Sequence, residues 1–493
     1  MQQTPHRSFR HTDLRAGSPL RAGSPHEKGS SFVPSSMSIL IESLAYHGSG
    51  VARLPDGRTV FVENAVPGDR VHIEIIENRK RYAHARVTEL LTPSPHRIAP
   101  SCPHYATCDG CTLQHLAYSE QCVWKHRAVV DALRHIGGVN DAEKRVENLV
   151  PAAKIWGYRN KIELEAQILD RGVKLGFHTG DDGYFAPVDS CFLLPRAFRE
   201  APYRIAGALT YACREVVPDL LRVGIRVSEL TGDVELALWT RPCNIARALT
   251  ARVLNETLRT TSMTRVIVDG AIKERKVKQV EVLAGRGYWR ETLDGRIMKI
   301  SAPSFYQVNS SGADVLVSIV LEFLERAEVS ANSHIADLYA GAGTFTVPLA
   351  ARYAKVSAIE SYGSSIRDLR RNLEENEVTA RLFGGDVARE LSGIGSFAAA
   401  IVDPPRTGLA PLARTALISA RPRCIIYVSC NPATLARDVK HFVDNNYRLI
   451  TVRPVDLFPQ TYHIESVALF VYREKDPRAL KLEALEAKMK NYQ

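Results

Sequence analysis

From Ser38 to about residue 92, apolar and polar positions alternate in short runs separated by turn residues. Ile39-Leu40-Ile41 precedes His47-Gly48-Ser49-Gly50, and Thr59-Val60-Phe61-Val62 precedes Pro67-Gly68-Asp69. Val71-His72-Ile73-Glu74-Ile75 then leads into Arg79-Lys80-Arg81-Tyr82. About five short strands without a helical period predict a small β-barrel of the OB type over residues 38–92. The Arg79–Tyr82 tip joins cationic side chains to a ring, a combination that suits single-stranded nucleic acid, although a solvated hairpin tip reads the same way. Upstream, Arg15-Ala-Gly-Ser-Pro19 is repeated as Arg21-Ala-Gly-Ser-Pro25. Too few large apolar residues surround it to offset ordering entropy, so residues 1–37 are predicted to be a disordered tail.

Pro93, Pro95 and Pro100 mark a linker into a mixed α+β segment over residues 93–300. It begins with a helical period from Glu120 to Ile136, ended by Gly137-Gly138. Strand-like runs follow at Lys161–Ile168, Val223–Val227, Val234–Trp239 and Val266–Val268. Over residues 301–475, apolar strands alternate with helical stretches: His334–Leu338, Val356–Glu360, Ala399–Asp403, Cys424–Ser429 and Ser466–Val471. That alternation predicts an α/β, doubly wound, mainly parallel sheet of Rossmann-like form. Residues 476–493 read as a charged C-terminal helix or tail, helical from Leu480 to Met489.

Composition narrows the class. With 45% hydrophobic and 24% charged residues among 493, the chain is globular rather than collagen-like or wholly disordered. No apolar run reaches the length of a bilayer span, and the N-terminus lacks the apolar core of a signal sequence, so a soluble, cytoplasmic protein is expected; a monomer is expected alongside. The net charge of +10 favours a polyanionic partner such as RNA. Nine cysteines, an odd number at irregular spacing, argue against a disulfide framework.

Five constellations carry chemistry. Cys102-x5-Cys108-x2-Cys111, with Cys191 farther on, offers soft thiolate ligands for structural zinc or a [4Fe–4S] cluster. Cys122, Cys213 and Cys243 have no such company and read as core residues. Asp337-Leu-Tyr339-Ala-Gly341-Ala-Gly343-Thr344 closes a strand with glycines that let a ligand approach the backbone, and Glu360 ends the next strand where ribose hydroxyls would lie. No Lys-Ser/Thr pair follows, so a phosphate-free adenosyl ligand, S-adenosylmethionine, fits better than a nucleotide phosphate. Asp403-Pro404-Pro405-Arg406-Thr407-Gly408 forms a rigid strand exit at the same edge. Val428-Ser429-Cys430-Asn431-Pro432 puts a thiol beside a helix N-terminus, where a thiolate nucleophile is expected to be stabilised. His463-Ile464-Glu465-Ser466 brings a carboxylate to the last strand, as a general base or as a solvated turn.

Together these residues resemble the RNA uracil-5-methyltransferase family, in its branch that methylates 23S ribosomal RNA. The resemblance runs from about Ser38 to Tyr472 and implies several roles. The barrel would be a TRAM domain that binds RNA. Cys102, Cys108, Cys111 and Cys191 would ligate a [4Fe–4S] cluster, with Gln114-His115 completing the local signature. Ser304-Phe-Tyr-Gln307-Val-Asn309 would enter the cofactor site, so that Gln307, Tyr339, Thr344, Glu360, Asp386 and Asp403 surround S-adenosylmethionine. Several members carry Asn where Thr344 and Asp386 stand. Cys430 would be the nucleophile and Glu465 the base. The same chemistry on the T-loop uridine of tRNA is the alternative, although transfer-RNA members commonly lack the barrel and cluster. A non-catalytic RNA-binding assembly factor would need neither Cys430 nor Glu465.

Overall fold

The computed structural model describes residues 37–170, 172–179, 183–212, 219–269 and 276–473. The expectations for residues 1–36, Cys213 and residues 476–493 lie outside them.

Six strands form the N-terminal sheet: β1 (Met37–Leu40), β2 (Ser43–Leu44), β3 (Gly50–Arg53), β4 (Thr59–Glu63), β5 (Arg70–Asn78) and β6 (Tyr82–Thr92). Met37, counted with the tail in the sequence reading, opens β1 and pairs with Ile73. Alternation buries Val60, Val62, Val71, Ile73, Ala83 and Ala85 on the concave face. The order β1-β5-β6-β4-β3-β2 contains no β1–β2 pairing, so the small OB-type barrel expected is an open half-barrel. Its two end strands are only four and two residues long, too short to complete a ladder. Asp69 ties this unit to the linker: its buried carboxylate accepts from Val66 N, Ser94 N and the Arg97 guanidinium.

Helix α1 (Tyr118–His135) ends where Gly138 takes a φ of +68° and Val139 N bonds back to Leu133 O. A single turn, α2 (Ala142–Arg145), follows. The central sheet comprises β7 (Lys161–Leu169), β8 (Gly172–Thr179), β9 (Tyr184–Pro187), β10 (Leu220–Val227), β11 (Val234–Thr240), β12 (Ser262–Asp269) and β13 (Lys276–Gly285), in the order β13-β12-β11-β10-β7-β8-β9. Helices α3 (Ala201–Ala212) and α4 (Arg247–Leu258) cover its apolar face through Ile205, Leu209, Leu254 and Leu258.

A hairpin, β14 (Trp289–Leu293) and β15 (Arg296–Ile300), precedes α5 (Ser310–Arg326), whose N-cap Asn309 accepts from Gly312 N at 3.1 Å. The C-terminal unit then alternates: β16 (His334–Leu338), α6 (Thr346–Ala350), β17 (Lys355–Glu360), α7 (Gly363–Glu375), β18 (Arg381–Gly384), α8 (Val387–Ile394), β19 (Ala399–Val402), α9 (Pro411–Ala420), β20 (Cys424–Ser429) and α10 (Pro432–Asp444). Two further strands, β21 (Tyr447–Val455) and β22 (Glu465–Tyr472), complete a sheet of order β18-β17-β16-β19-β20-β22-β21. It is parallel except for β22, which runs against both β20 and β21.

Successive side chains of each strand enter different cores, as a sheet covered on both faces requires. Cys424, Ile426 and Val428 face α5 and the hairpin, whereas Ile425 and Tyr427 face α1, α9 and α10. Two segments before residue 301 therefore share the C-terminal cores: Trp289, Leu293, Met298 and Ile300 of the hairpin on one face, and Val129, Val130 and Leu133 of α1 on the other. Among the described residues, no helix is long and apolar enough to cross a membrane.

A buried ion pair fastens α1 to the chain between β21 and β22. Lys125 Nζ lies 2.7 Å from Asp456 Oδ1, with side-chain exposures of 2% and 0%, and also donates to Phe458 O. Lys125→Met should leave Asp456 as an uncompensated buried charge, at a cost of about 3–5 kcal/mol. A marked fall in thermal midpoint that Asp456→Leu largely reverses in the double variant is the expected result.

Candidate active site

The C-terminal edge of the seven-stranded sheet gathers most of the residues singled out in the sequence. Beyond β16, the chain enters Tyr339-Ala340-Gly341-Ala342-Gly343, with φ of +67° at Tyr339, +56° at Gly341 and +102° at Gly343. A Cβ on Gly343 would stand 2.7 Å from Leu369 Cδ1, so glycine is required both by φ and by the close approach of α7. Tyr339 holds the same left-handed region without that freedom, the kind of local strain that collects at ligand sites. Glu360, at the end of β17, accepts from Gly341 N at 2.8 Å and from Ser361 N and Tyr362 N, fixing the glycine turn. Thr344 is half-buried on that turn.

Asp386 caps α8 by accepting from Ala388 N at 2.9 Å and is exposed. Gln307 is buried on the entry to α5, where its carbonyl accepts from Asn160 Nδ2 at 3.0 Å. Asp403 leaves β19 between the glycine strand and the Cys430 strand.

The reversal of β22 sets the central pair. Ser429 of β20 lies opposite Ser466 of β22, so the next step outward puts Cys430 level with Glu465. Glu465 is 4% exposed. Burial pushes its carboxyl well above the usual range; Asp403 pushes the same way, and Arg406 opposes them. Burial likewise pushes the Cys430 thiol up to about 12, with Glu465 and Asp403 raising it against the pull of Arg406. The expected helix-stabilised thiolate is therefore not what this site produces: desolvation and acidic neighbours outweigh the helix terminus, and the free thiol is neutral.

The floor of the rim is equally short of positive charge. Asp337 is fully buried; Thr346 Oγ1 donates to its Oδ2, while Oδ1 has no partner. Burial raises Asp337 to about 7, with Glu360 adding to the shift. Burial, followed by the charge of Asp337, also raises Asp403 to about 7. An orphaned carboxylate oxygen beside other acids fits the sulfonium and ammonium charges of S-adenosylmethionine. The motif around Asp337 was visible in the sequence; its missing partner was not.

A cavity of about 650 Å³ runs from the thiols of Cys102, Cys108, Cys111 and Cys191 to Phe305, Arg406 and His463. The four thiols are close enough to act on one another electrostatically. Burial comes first in each shift, taking Cys108 to about 11 and Cys111 to about 12, and it raises Cys191 as well. Among the described residues, no group of three or more His, Cys, Asp or Glu is arranged to hold a metal ion. The cysteine loop clamps the approach to Glu465: Thr112 N and Leu113 N donate to Gln460 O, and Tyr462 N donates to Thr112 Oγ1. Burial, then Arg406, lowers His463 to about 4, so its ring is neutral there.

Residues 248–473 match the tRNA (Uracil-5-)-methyltransferase family, and residues 31–88 match the TRAM domain. An uncharacterized RNA methyltransferase of Gloeobacter violaceus is 34% identical over 89% of this chain and 97% of its own length. Another uncharacterized RNA methyltransferase, from Bacillus cereus, is 31% identical over 89% of this chain and 97% of its own length. The chain belongs to the RNA uracil-5-methyltransferase family. This methyltransferase also resembles the crystal structure of Pyrococcus abyssi tRNA (uracil-54, C5)-methyltransferase bound to S-adenosyl-L-homocysteine. The TM-score is 0.69 at 29% identity, covering 88% of this chain and 100% of that one. It is an S-adenosylmethionine-dependent RNA (uracil-C5)-methyltransferase with an N-terminal TRAM half-barrel. The P. abyssi match spans too much of the chain for overall architecture to separate ribosomal from transfer RNA substrates, as the sequence reading expected it to.

The carboxyls at the rim set a pH dependence. With Asp337 and Asp403 raised to about 7, both lose their protons as pH climbs through neutrality. A cation favours the ionised forms, so its binding should release protons. Affinity for S-adenosylmethionine should rise from about pH 6 to about pH 8 and then level off. Calorimetry in buffers of different ionisation enthalpy should show net proton release, smaller for S-adenosylhomocysteine, which lacks the sulfonium charge.

Proposed function

We propose that this methyltransferase modifies a uridine of 23S ribosomal RNA through a covalent adduct at C6, with Cys430 as nucleophile and Glu465 as base. The placement of Cys430 level with Glu465 across the β20–β22 pair carries the reading. Carbon 5 of uracil is a poor nucleophile until a group adds at C6. Cys430 would give its proton to solvent and add at C6, making an enolate whose C5 takes the methyl group from the sulfonium and releases S-adenosylhomocysteine. Glu465, in its ionised form, would then take the C5 proton, and elimination would free Cys430 as the thiolate. When bound at the rim, S-adenosylmethionine supplies the electrophilic methyl group. Tyr339, Thr344, Glu360 and Asp403 would line its site, with Gln307 and Asp386 approaching from the flanks, and Asp337 would answer its positive charge. The target base must leave its stack to reach Cys430, and the cavity beside Arg406 gives it a place to enter.

The four cysteines are proposed as ligands of a [4Fe–4S] cluster with a structural role. Soft thiols sharing one cavity fit such a group, and deprotonation on binding would relieve their raised pKa values. The loop they would hold is the one that clamps Gln460 and Tyr462 ahead of Glu465. Protein purified without oxygen should contain about four irons and four sulfides, with broad visible absorbance. A colourless protein with stoichiometric zinc would refute the cluster.

A second reading, the T-loop uridine of tRNA, is favoured by the likeness to the P. abyssi enzyme. Mapping 5-methyluridine in cells lacking the protein distinguishes the two: loss from 23S rRNA supports the proposal, and loss from tRNA alone overturns it. The roles at the rim separate in vitro. Cys430→Ala should form no protein–RNA adduct and no product. Glu465→Gln should methylate but stall before elimination, accumulating a crosslinked band on a denaturing gel. Turnover by Glu465→Gln at the parent rate, without an adduct, would remove Glu465 as the base.

A further inference from the structure

The turn joining β2 to β3 of the half-barrel does not face solvent alone; it reaches the catalytic rim. Ala45 N bonds to Ser49 O and Gly48 N to Ala45 O, which close the turn and lift Tyr46 and His47 at its crest. Gly48, at a φ of +92°, rests against the cysteine loop, where a Cβ would meet Leu113 Cδ2 at 3.4 Å. From this base, the Tyr46 hydroxyl donates to the backbone carbonyl of Cys430 at 3.2 Å. The Tyr46 ring meets that of Tyr462 edge-on at 5.4 Å, and His47 meets the same ring at 5.1 Å. Tyr462 in turn lies three residues before Glu465.

The Cys430 carbonyl falls at the break between strand and helix. Ser429 is the last residue of β20 paired with β22. Asn431 on the other side is fully engaged: its side chain accepts from Ala433 N and Thr434 N, and its carbonyl accepts from Leu435 N. Cys430 stands between these two fixed neighbours. We propose that Tyr46 is a positioning residue for the nucleophile: its hydroxyl fixes the Cys430 peptide, so the half-barrel that binds RNA also holds the reacting thiol in place. Burial, then the neighbouring Cys430, raises the phenol above its ordinary pKa, so it stays a donor throughout the working pH range.

The proposal rests on Cys430 being the nucleophile, and the experiment separates the two. Parent, Tyr46→Phe and Cys430→Ala full-length proteins are mixed with RNA carrying 5-fluorouridine at the target position, in the presence of S-adenosylmethionine. Fluorine blocks the final proton removal, so the rate of adduct formation reads addition and methyl transfer alone. Tyr46→Phe keeps the ring contacts and loses only the hydroxyl. Its saturating adduct rate should fall by about three- to tenfold, the scale of one net hydrogen bond, with RNA affinity and thermal midpoint unchanged. A parent rate overturns the proposal. A loss confined to RNA affinity overturns it as well, because Tyr46 would then serve binding alone. A rate loss matched by a fallen thermal midpoint also overturns it, because the hydroxyl would then serve packing. An adduct that persists in Cys430→Ala overturns the nucleophile reading itself.

Discussion

A parallel strand beside β20 would start at the opposite edge of the sheet, far from the ligand-binding rim. Because β22 runs antiparallel, its first residue stands where β20 ends, and the register Ser429–Ser466 makes Cys430 and Glu465 neighbours. Strands β20 and β22 are buried along most of their length, so a slip of one residue would turn their side chains into the wrong core. The spacing between thiol and carboxylate is thus held by the packing of two hydrophobic layers. The chemistry borrows the rigidity of the core.

That rigidity carries an electrostatic cost. Asp337, Asp403, Glu465 and Cys430 crowd one rim, and Arg406 is the cation that opposes them around Cys430 and Glu465. Desolvation keeps these groups protonated more readily than water would. The free enzyme therefore holds a neutral thiol among carboxyls that burial pushes toward their own protonated forms. A positively charged methyl donor at this rim would favour the ionised forms of the carboxyls.

Much of this was legible from local pattern. Strands of the C-terminal sheet announced themselves as apolar runs, and the residues just past their C-terminal ends marked the rim. Strand order then followed from the doubly wound arrangement. What local pattern could not carry was long-range sharing. Helix α1 and the β14–β15 hairpin look like parts of the middle segment, yet their apolar faces complete the C-terminal cores. The protonation of Cys430 depends first on burial and then on charges from two other segments, the Asp403–Arg406 loop and the start of β22, so a helix terminus read in isolation suggested the opposite state. Tyr46 gave no signal, since nothing near a turn at residue 46 names a carbonyl 384 positions away. The strand count of the half-barrel is visible in sequence, whereas the shortness of β2 and the open edge it leaves emerge only with pairing.

The edge-on contact of Tyr46 and His47 with Tyr462 has a consequence for how this protein could be rebuilt. The half-barrel has its own apolar core and invites treatment as a cassette to be exchanged between relatives for a new RNA preference. Its β2–β3 turn, the loop from Cys111 to Leu113 and the stretch from Gln460 to Tyr462 form one joint drawn from three distant parts of the chain. A graft cut at the linker would import half of that joint and strand the other half. The unit of exchange is the half-barrel together with both of the loops it presses upon.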